Sequence, residues 1–213
     1  MSRPLPRPLV VTDCDEVLLH MVRHFRAWLG EEHGIEFLLE GNPFGQSVRR
    51  KDSDKPVEEA ELWALLNAFF DSEMARQTAI EGAAAAMAEL RREADVVVLT
   101  NLVDRFGESR RRQLRDHGID LEVVTNQGPK GEALRRIVER YAPTRAVFID
   151  DLAQHHASAA EALPDIARLH FCGEPAIAPH VPCALEAGHD HARIDRWDEA
   201  LPWLLETLHG IQP

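Results

Sequence analysis

Asp13 and Asp15 stand two apart at the end of the apolar run Pro8-Leu9-Val10-Val11-Thr12. Residues two apart on an extended chain point the same way, so the two carboxylates share a side and repel each other. A divalent cation relieves that repulsion. A carboxylate so placed can also act as a nucleophile toward phosphorus, while its neighbour gives a proton to the leaving oxygen and later takes one from water. Thr100 and Asn101 follow Val96-Val97-Val98-Leu99, where a hydroxyl, a side-chain amide and adjacent backbone N–H groups can cradle phosphoryl oxygens. Lys130, within Gly128-Pro129-Lys130-Gly131, opens a predicted helix, because proline favours the first turn. A cation there has the wrong sign for the helix dipole, by about 0.3–1 kcal/mol if exposed, and an anionic partner offsets that cost. Asp150 and Asp151 follow Val147-Phe148-Ile149. Oxygen-rich sites of this kind suit Mg²⁺, which keeps several waters and uses few protein carboxylates.

Each motif also has a plainer reading. Asp-x-Asp is often an acidic turn that caps a helix, Thr-Asn a local turn, Lys130 a solvated surface lysine, and one of the Asp150–Asp151 pair an N-cap for the helix that follows. Their order along the chain and the elements that carry them decide between these readings.

Apolar, β-branched runs alternate with helical patterns, which describes βαβ units around a parallel sheet. Strands are expected at Leu9–Thr12, Asp95–Thr100, Leu121–Thr125, Ala146–Asp150 and Ile166–Phe171. Several of these are continuous apolar runs, as strands covered on both faces require. Helices are expected at Asp104–His117, Gly131–Tyr141, Leu152–Ala162 and Arg196–Leu208. In an open parallel sheet, ligands bind beyond the carboxyl ends of the strands, so all four motifs converge on one crevice. The expected fold class is α/β, a Rossmann-like doubly wound parallel sheet.

One interval breaks the pattern. A crossover between parallel strands takes a dozen or so residues, yet here it runs from Asp13 to Ala94. It holds helix patterns at Val22–Glu32 and Val57–Ala75, separated by the irregular stretch Glu40–Lys55, and then a third at Gly82–Glu93 that leads into the second strand. Residues 20–80 are accordingly expected to form a small helical cap inserted after the first carboxylate pair, with residues 1–19 and 81–213 as the core domain. An insertion at the mouth of a site is placed to close over a substrate.

The composition bounds the alternatives. The chain has 213 residues, 45% hydrophobic, with a formal net charge of −12. That balance argues against nucleic acid or an anionic membrane as a partner and leaves a small phosphorylated metabolite open. Three cysteines at irregular spacing (Cys14, Cys172, Cys183) are no disulfide framework. Cys172 and Cys183 with His180, His189 and His191 match no regular zinc spacing. The run Leu9–Val11 is too short for a signal-peptide core, and no stretch approaches the roughly 18 apolar residues of a membrane span. A cytoplasmic setting is expected.

The ordered set Asp13-Cys14-Asp15, Thr100, Lys130 and Asp150-Asp151 resembles the haloacid dehalogenase-like (HAD) hydrolase superfamily across nearly the whole chain, and the inserted segment resembles that superfamily's cap between its first and second motifs. The resemblance implies that Asp13 is the nucleophile and Asp15 the general acid/base, with Thr100 and Lys130 holding the phosphoryl group. It implies Mg²⁺ held by Asp13, the backbone carbonyl of Asp15, and Asp151, with Asp150 assisting. Two positions depart from the family pattern. His155 stands where a further acidic residue is common, and Glu16-Val17 replaces the usual small Gly-Thr continuation. The expected function is a Mg²⁺-dependent phosphatase working through an aspartyl-phosphate. The alternatives are a phosphoryl-transferring mutase and a catalytically inactive, metabolite-binding relative. Asp15 disfavours the halide-removing branch, and motif order with the insertion disfavours a two-component receiver.

Overall fold

The computed structural model describes residues 6–39, 48–53 and 55–210. The outer ends of the expected core domain, 1–5 and 211–213, and most of the expected irregular stretch, 40–47 with 54, lie outside the described residues.

In chain order the strands are β1 (Leu9–Thr12), β2 (Leu19–His20), β3 (Ile35–Phe37), β4 (Val48–Arg50), β5 (Thr78–Ala79), β6 (Asp95–Thr100), β7 (Glu122–Thr125), β8 (Ala146–Asp150), β9 (Ala167–His170) and β10 (Ala192–Arg193). The helices are α1 (Val22–Glu32), α2 (Glu59–Ser72), α3 (Ala83–Glu93), α4 (Gly107–Asp116), α5 (Gly131–Tyr141), α6 (Ala153–Ala162) and α7 (Trp197–His209). Six strands form one sheet in the order β10-β9-β8-β1-β6-β7, with every neighbouring pair parallel.

The apolar runs become central strands because alternate residues feed two different cores. Leu9, Val11, Val97, Leu99 and Phe148 pack with Leu134, Ile137 and Ala159 of α5 and α6 on one face. Val10, Val96, Val98, Val147 and Ile149 pack with Met87, Leu90, Leu114, Trp197 and Leu204 of α3, α4 and α7 on the other. This is the three-layer, doubly wound arrangement. From β1 the chain moves outward to β6 and β7, then crosses to β8 on the other side of β1. The strand order therefore reverses at β1, and the crevice at such a reversal is where ligands bind in open α/β sheets.

Between β1 and β6 the chain leaves the sheet through β2 and returns through β5, which pair antiparallel (Leu19 with Ala79, His20 with Thr78). The residues between them gather a separate apolar cluster that includes Phe25, Trp28, Phe37, Phe69 and Phe70. Phe69 lies edge-on to Phe25, ring centroids 5.4 Å apart, a geometry aromatic pairs favour. The segment is not purely helical: β3 and β4 form an antiparallel pair, Ile35 opposite Arg50 and Phe37 opposite Val48. The expected second helix, Val57–Ala75, resolves into α2 and a 3₁₀ turn at Met74–Arg76. Among the described residues no helix is long and apolar enough to cross a membrane.

Candidate active site

Asp13 sits just past the tip of β1, where its backbone N–H donates to the Ile149 carbonyl of β8 at 2.8 Å. That bond extends the β1–β8 ladder by one residue and fixes where the carboxylate emerges. One carboxylate oxygen accepts from the Cys14 N–H at 2.7 Å and lies 2.8 Å from Lys130 Nζ. The same ammonium donates to Asp150 Oδ2 at 2.7 Å. Lys130 is fully buried, so it is not a surface residue. It occupies the N-cap position of α5, where a lone cation would face the positive end of the helix dipole, and the two carboxylates offset that repulsion.

Gly131 lets the helix start lie this deep. A Cβ there would come within 2.2 Å of the Ser158 carbonyl oxygen on α6, and its N–H donates to Ser158 Oγ at 2.9 Å.

Asp150 and Asp151 play different parts. Asp150 is fully buried, and its oxygens are engaged by Lys130 and by the Leu152 N–H at 2.9 Å. Burial alone would push its pKa up, but Lys130, then His155 and His156, hold it below the ordinary carboxylate value. Among the described residues nothing donates to the Asp151 carboxylate, which lines the cavity. Burial, with Asp150 and Asp13 close by, pushes Asp151 well above the usual range. Burial likewise pushes Asp13 up to about 7 against the pull of Lys130. Carboxylate oxygens of Asp13, Asp150 and Asp151 lie within 4.8 Å of one another. This crowding of hard oxygen donors fits Mg²⁺, with Asp13 and Asp151 the groups left to hold it.

Thr100 ends β6 fully buried, and its hydroxyl has no partner among the described residues although Thr100 lines the cavity. A buried, unpaired hydroxyl costs roughly 1–3 kcal/mol unless a ligand oxygen completes it. Asn101 faces the same cavity, but its side chain is spent on holding loops together. Nδ2 donates to the Gly128 carbonyl at 2.9 Å, and Oδ1 accepts from Asn126 at 2.9 Å. His155 Nε2 lies 3.3 Å from Asn101 Nδ2, and its buried Nδ1 has no partner among the described residues. Burial lowers this imidazole to about 4, which keeps it neutral.

Asp15 turns toward α4. Arg110 Nη2 lies 2.9 Å from one of its oxygens and 3.1 Å from the other, and Gln77 Nε2 donates to it at 3.0 Å. Gln77 comes from the returning stem of the inserted segment, and Gln113 anchors it with Nε2 3.2 Å from Gln77 Oε1. Behind the acidic pair, His156 Nε2 lies 2.9 Å from the Asp150 carbonyl and His170 Nε2 lies 2.7 Å from that of Asp151. Asp190, buried beside both rings, lies 2.7 Å from His156 Nδ1.

Several of these groups escape a reading of the sequence. Arg110 is one of three consecutive arginines, and only its neighbours Phe106 and Leu114 on the buried helix face separate it from exposed Arg111 and Arg112. Glu16 is visible as a departure from the usual glycine. Its φ of +60° is a conformation glycine adopts freely, and its Oε1 accepts from the Met21 and Val22 N–H groups at 2.9 and 2.6 Å.

No protein-family model matches the chain, and no curated protein matches it in sequence. Solved structures do match in shape. A haloacid dehalogenase-like hydrolase of Streptococcus pneumoniae aligns with a TM-score of 0.67 at 12% identity, covering 93% of this chain and 98% of that one. A protein of Thermotoga maritima described as a candidate β-phosphoglucomutase aligns with a TM-score of 0.61 at 17% identity, covering 94% and 99%. A candidate HAD hydrolase of Bacillus subtilis, bound to magnesium, aligns with a TM-score of 0.60 at 16% identity, covering 93% and 99%. At these identities the likeness is one of fold, and the chain has the haloacid dehalogenase-like fold.

Proposed function

We propose that this chain is a Mg²⁺-dependent phosphatase that hydrolyses a small phosphate monoester through an aspartyl-phosphate on Asp13. The observation that carries the reading is the buried Lys130 ammonium, 2.8 Å from Asp13 and 2.7 Å from Asp150, at the point where the strand order reverses. A buried cation tied to a strand-tip carboxylate stands where charge would develop on a transferring phosphoryl group, and stabilising that charge is most of what such catalysis requires.

The oxygen of Asp13 attacks phosphorus, an acyl-phosphate bond forms, and the ester P–O bond breaks. Asp15 supplies a proton to the departing oxygen. Water then attacks the same phosphorus and gives a proton back to Asp15, which releases inorganic phosphate and restores the Asp13 carboxylate. Thr100 donates its free hydroxyl to a phosphoryl oxygen, and Lys130 neutralises charge on the group in transit. Mg²⁺, held by Asp13, Asp151 and the Asp15 carbonyl, would supply further charge neutralisation. Asn101 and His155 shape the loop that borders the phosphoryl position, and Asp150 orients Lys130.

A screen of phosphate monoesters with Mg²⁺ tests this directly. Release of inorganic phosphate that disappears in Asp13→Asn, together with a base-labile phosphoryl label on the wild-type chain, is expected. Turnover by Asp13→Asn at the wild-type rate would reject the reading.

A further inference from the structure

The cavity above Asp13 has a volume of about 340 Å³, at the small end of the roughly 300–1,000 Å³ of small-molecule sites. Its walls divide sharply by origin. The polar groups that line it belong to the core: Asp13, Asp15 and Glu16 after β1, Thr100 and Asn101 at the end of β6, Asp151 after β8, and Gln154 and His155 in the first turn of α6. Every described residue that the inserted segment contributes is apolar. On α2 these are Trp63, Leu66 and Phe70, spaced three and four apart so that they share one helix face. Leu39 adds to that wall, and Ile177 and Val181 extend it from the core side.

None of the segment's arginines or lysines is among the described residues that line the cavity. Arg23 pairs with Glu174 at 2.6 Å, Arg50 with Glu61 at 2.6 Å, and Arg76 with Glu31 at 2.7 Å. Lys51 donates to the Gly30 carbonyl at 3.1 Å. Trp63, 56% exposed, is among the few large apolar side chains turned outward, and it stands at the border of this cavity.

We infer that the leaving group of the substrate is an apolar alcohol, aromatic or aliphatic, with neither the hydroxyls of a sugar nor a second phosphate. The inference rests on the phosphatase reading and adds to it what the wall selects. A sugar hydroxyl turned toward Trp63, Leu66 and Phe70 would lose its water without gaining a partner, whereas each methylene placed there is removed from water favourably. A second phosphate would meet no cation among the described lining residues. This also tells against the mutase alternative, whose two-phosphate intermediate needs charge on both sides of the cavity.

Cyclohexylmethyl phosphate and glucose 6-phosphate make a matched pair. Both are primary alkyl esters on a six-membered ring, and they differ mainly in the hydroxyls. With Mg²⁺ present, kcat/KM is expected to favour cyclohexylmethyl phosphate by at least about tenfold, and Trp63→Ser, at an exposed position, is expected to shrink that ratio. Equal rates, a preference for the sugar ester, or an unchanged ratio in Trp63→Ser would overturn the inference while the phosphatase reading stood. If neither ester nor any other in the screen is hydrolysed, the phosphatase reading falls, and calorimetric binding of the two esters still decides what the wall selects. Tighter binding of the cyclohexylmethyl ester supports the apolar wall, and equal or weaker binding overturns it.

Discussion

The Arg110 guanidinium and the Asp15 carboxylate form a pair in which one nitrogen, Nη2, is shared between both oxygens at 2.9 and 3.1 Å. The arginine side chain is wholly buried, while Asp15 keeps 17% of its side-chain surface open toward the cavity. Gln77 bridges the two, donating to Asp15 at 3.0 Å and accepting from Arg110 Nη1 at 3.1 Å. The orientation of the proposed acid/base thus depends on a helix of the core and on the stem by which the inserted segment rejoins it. Arg110→Met is expected to lower kcat by at least about tenfold, or about 1.4 kcal/mol of transition-state stabilisation, with a smaller change in KM. Arg110→Lys should recover part of the loss. A Met variant that folds and turns over at the wild-type rate would remove Arg110 from any role in positioning Asp15.

Lys130→Ala should hurt twice. Asp13 and Asp150 lose the cation they share, and breaking a buried pair by removing one partner costs about 3–5 kcal/mol. The transferring phosphoryl group loses the buried ammonium beside Asp13, so kcat/KM should fall at least about tenfold. Thermal melts and steady-state kinetics on one preparation check both effects. A variant as stable as the wild type would contradict the burial and the two short contacts seen here.

The sheet and the acidic motifs were legible because burial on both faces writes a strand as an unbroken apolar run. Leu9–Thr12, Asp95–Thr100 and Ala146–Asp150 appear in the structure with the limits the sequence suggests. Toward the edges of the sheet the signal fades. Ile166–Phe171 shortens to Ala167–His170, and the two residues of β10 carry no pattern to read. The β3–β4 pair was hidden for a similar reason, since three residues per strand make less than two full alternations. Expected helix Asp104–His117 begins as a 3₁₀ turn, Asp104–Phe106, before α4. Asp13, Thr100, Lys130 and Asp151 stood out by their place at element ends. Arg110 and Gln77 did not, because only tertiary packing turns a helix arginine and a stem glutamine toward Asp15.

Mg²⁺ should stabilise the fold more as pH rises. Asp13 has a value of about 7 in the folded chain against an ordinary 3.8, and Asp151 is raised as well. Between those values the native state holds protons that the unfolded chain has released, so metal-free stability falls with increasing pH. A metal that needs deprotonated carboxylates must displace those protons, which becomes easier as pH climbs. Melting curves with Mg²⁺ or with chelator between about pH 5 and about pH 8 should show a growing increment from the metal. An increment that is flat or shrinks across that range would argue against Asp13 and Asp151 as ligands.

Glu16 offers a test at a position where the backbone and the side chain pull in opposite directions. Its left-handed conformation (φ +60°) costs a non-glycine residue roughly 1–2 kcal/mol. Its side chain returns hydrogen bonds to the Met21 and Val22 N–H groups at the start of α1, worth about 0.5–1.5 kcal/mol each. Replacement by glycine therefore gains backbone freedom and loses two capping bonds, and the two effects nearly offset. Glutamine is more informative, because it keeps an accepting oxygen and cannot ionise. Burial, aided by nearby Asp15, raises the Glu16 carboxyl to about 8 from an ordinary 4.5. Below the ordinary value both folded and unfolded chains are protonated, so glutamate and glutamine should behave alike. As pH rises from there toward about 8, the unfolded glutamate ionises while the folded one does not, and the wild type loses stability that the glutamine variant keeps. The melting temperature of Glu16→Gln, measured in chelator so that metal binding at Asp15 does not contribute, should thus rise relative to wild type across this window. A gap that narrows or reverses with pH would mean that Glu16 is ionised in the folded chain and caps α1 as a carboxylate.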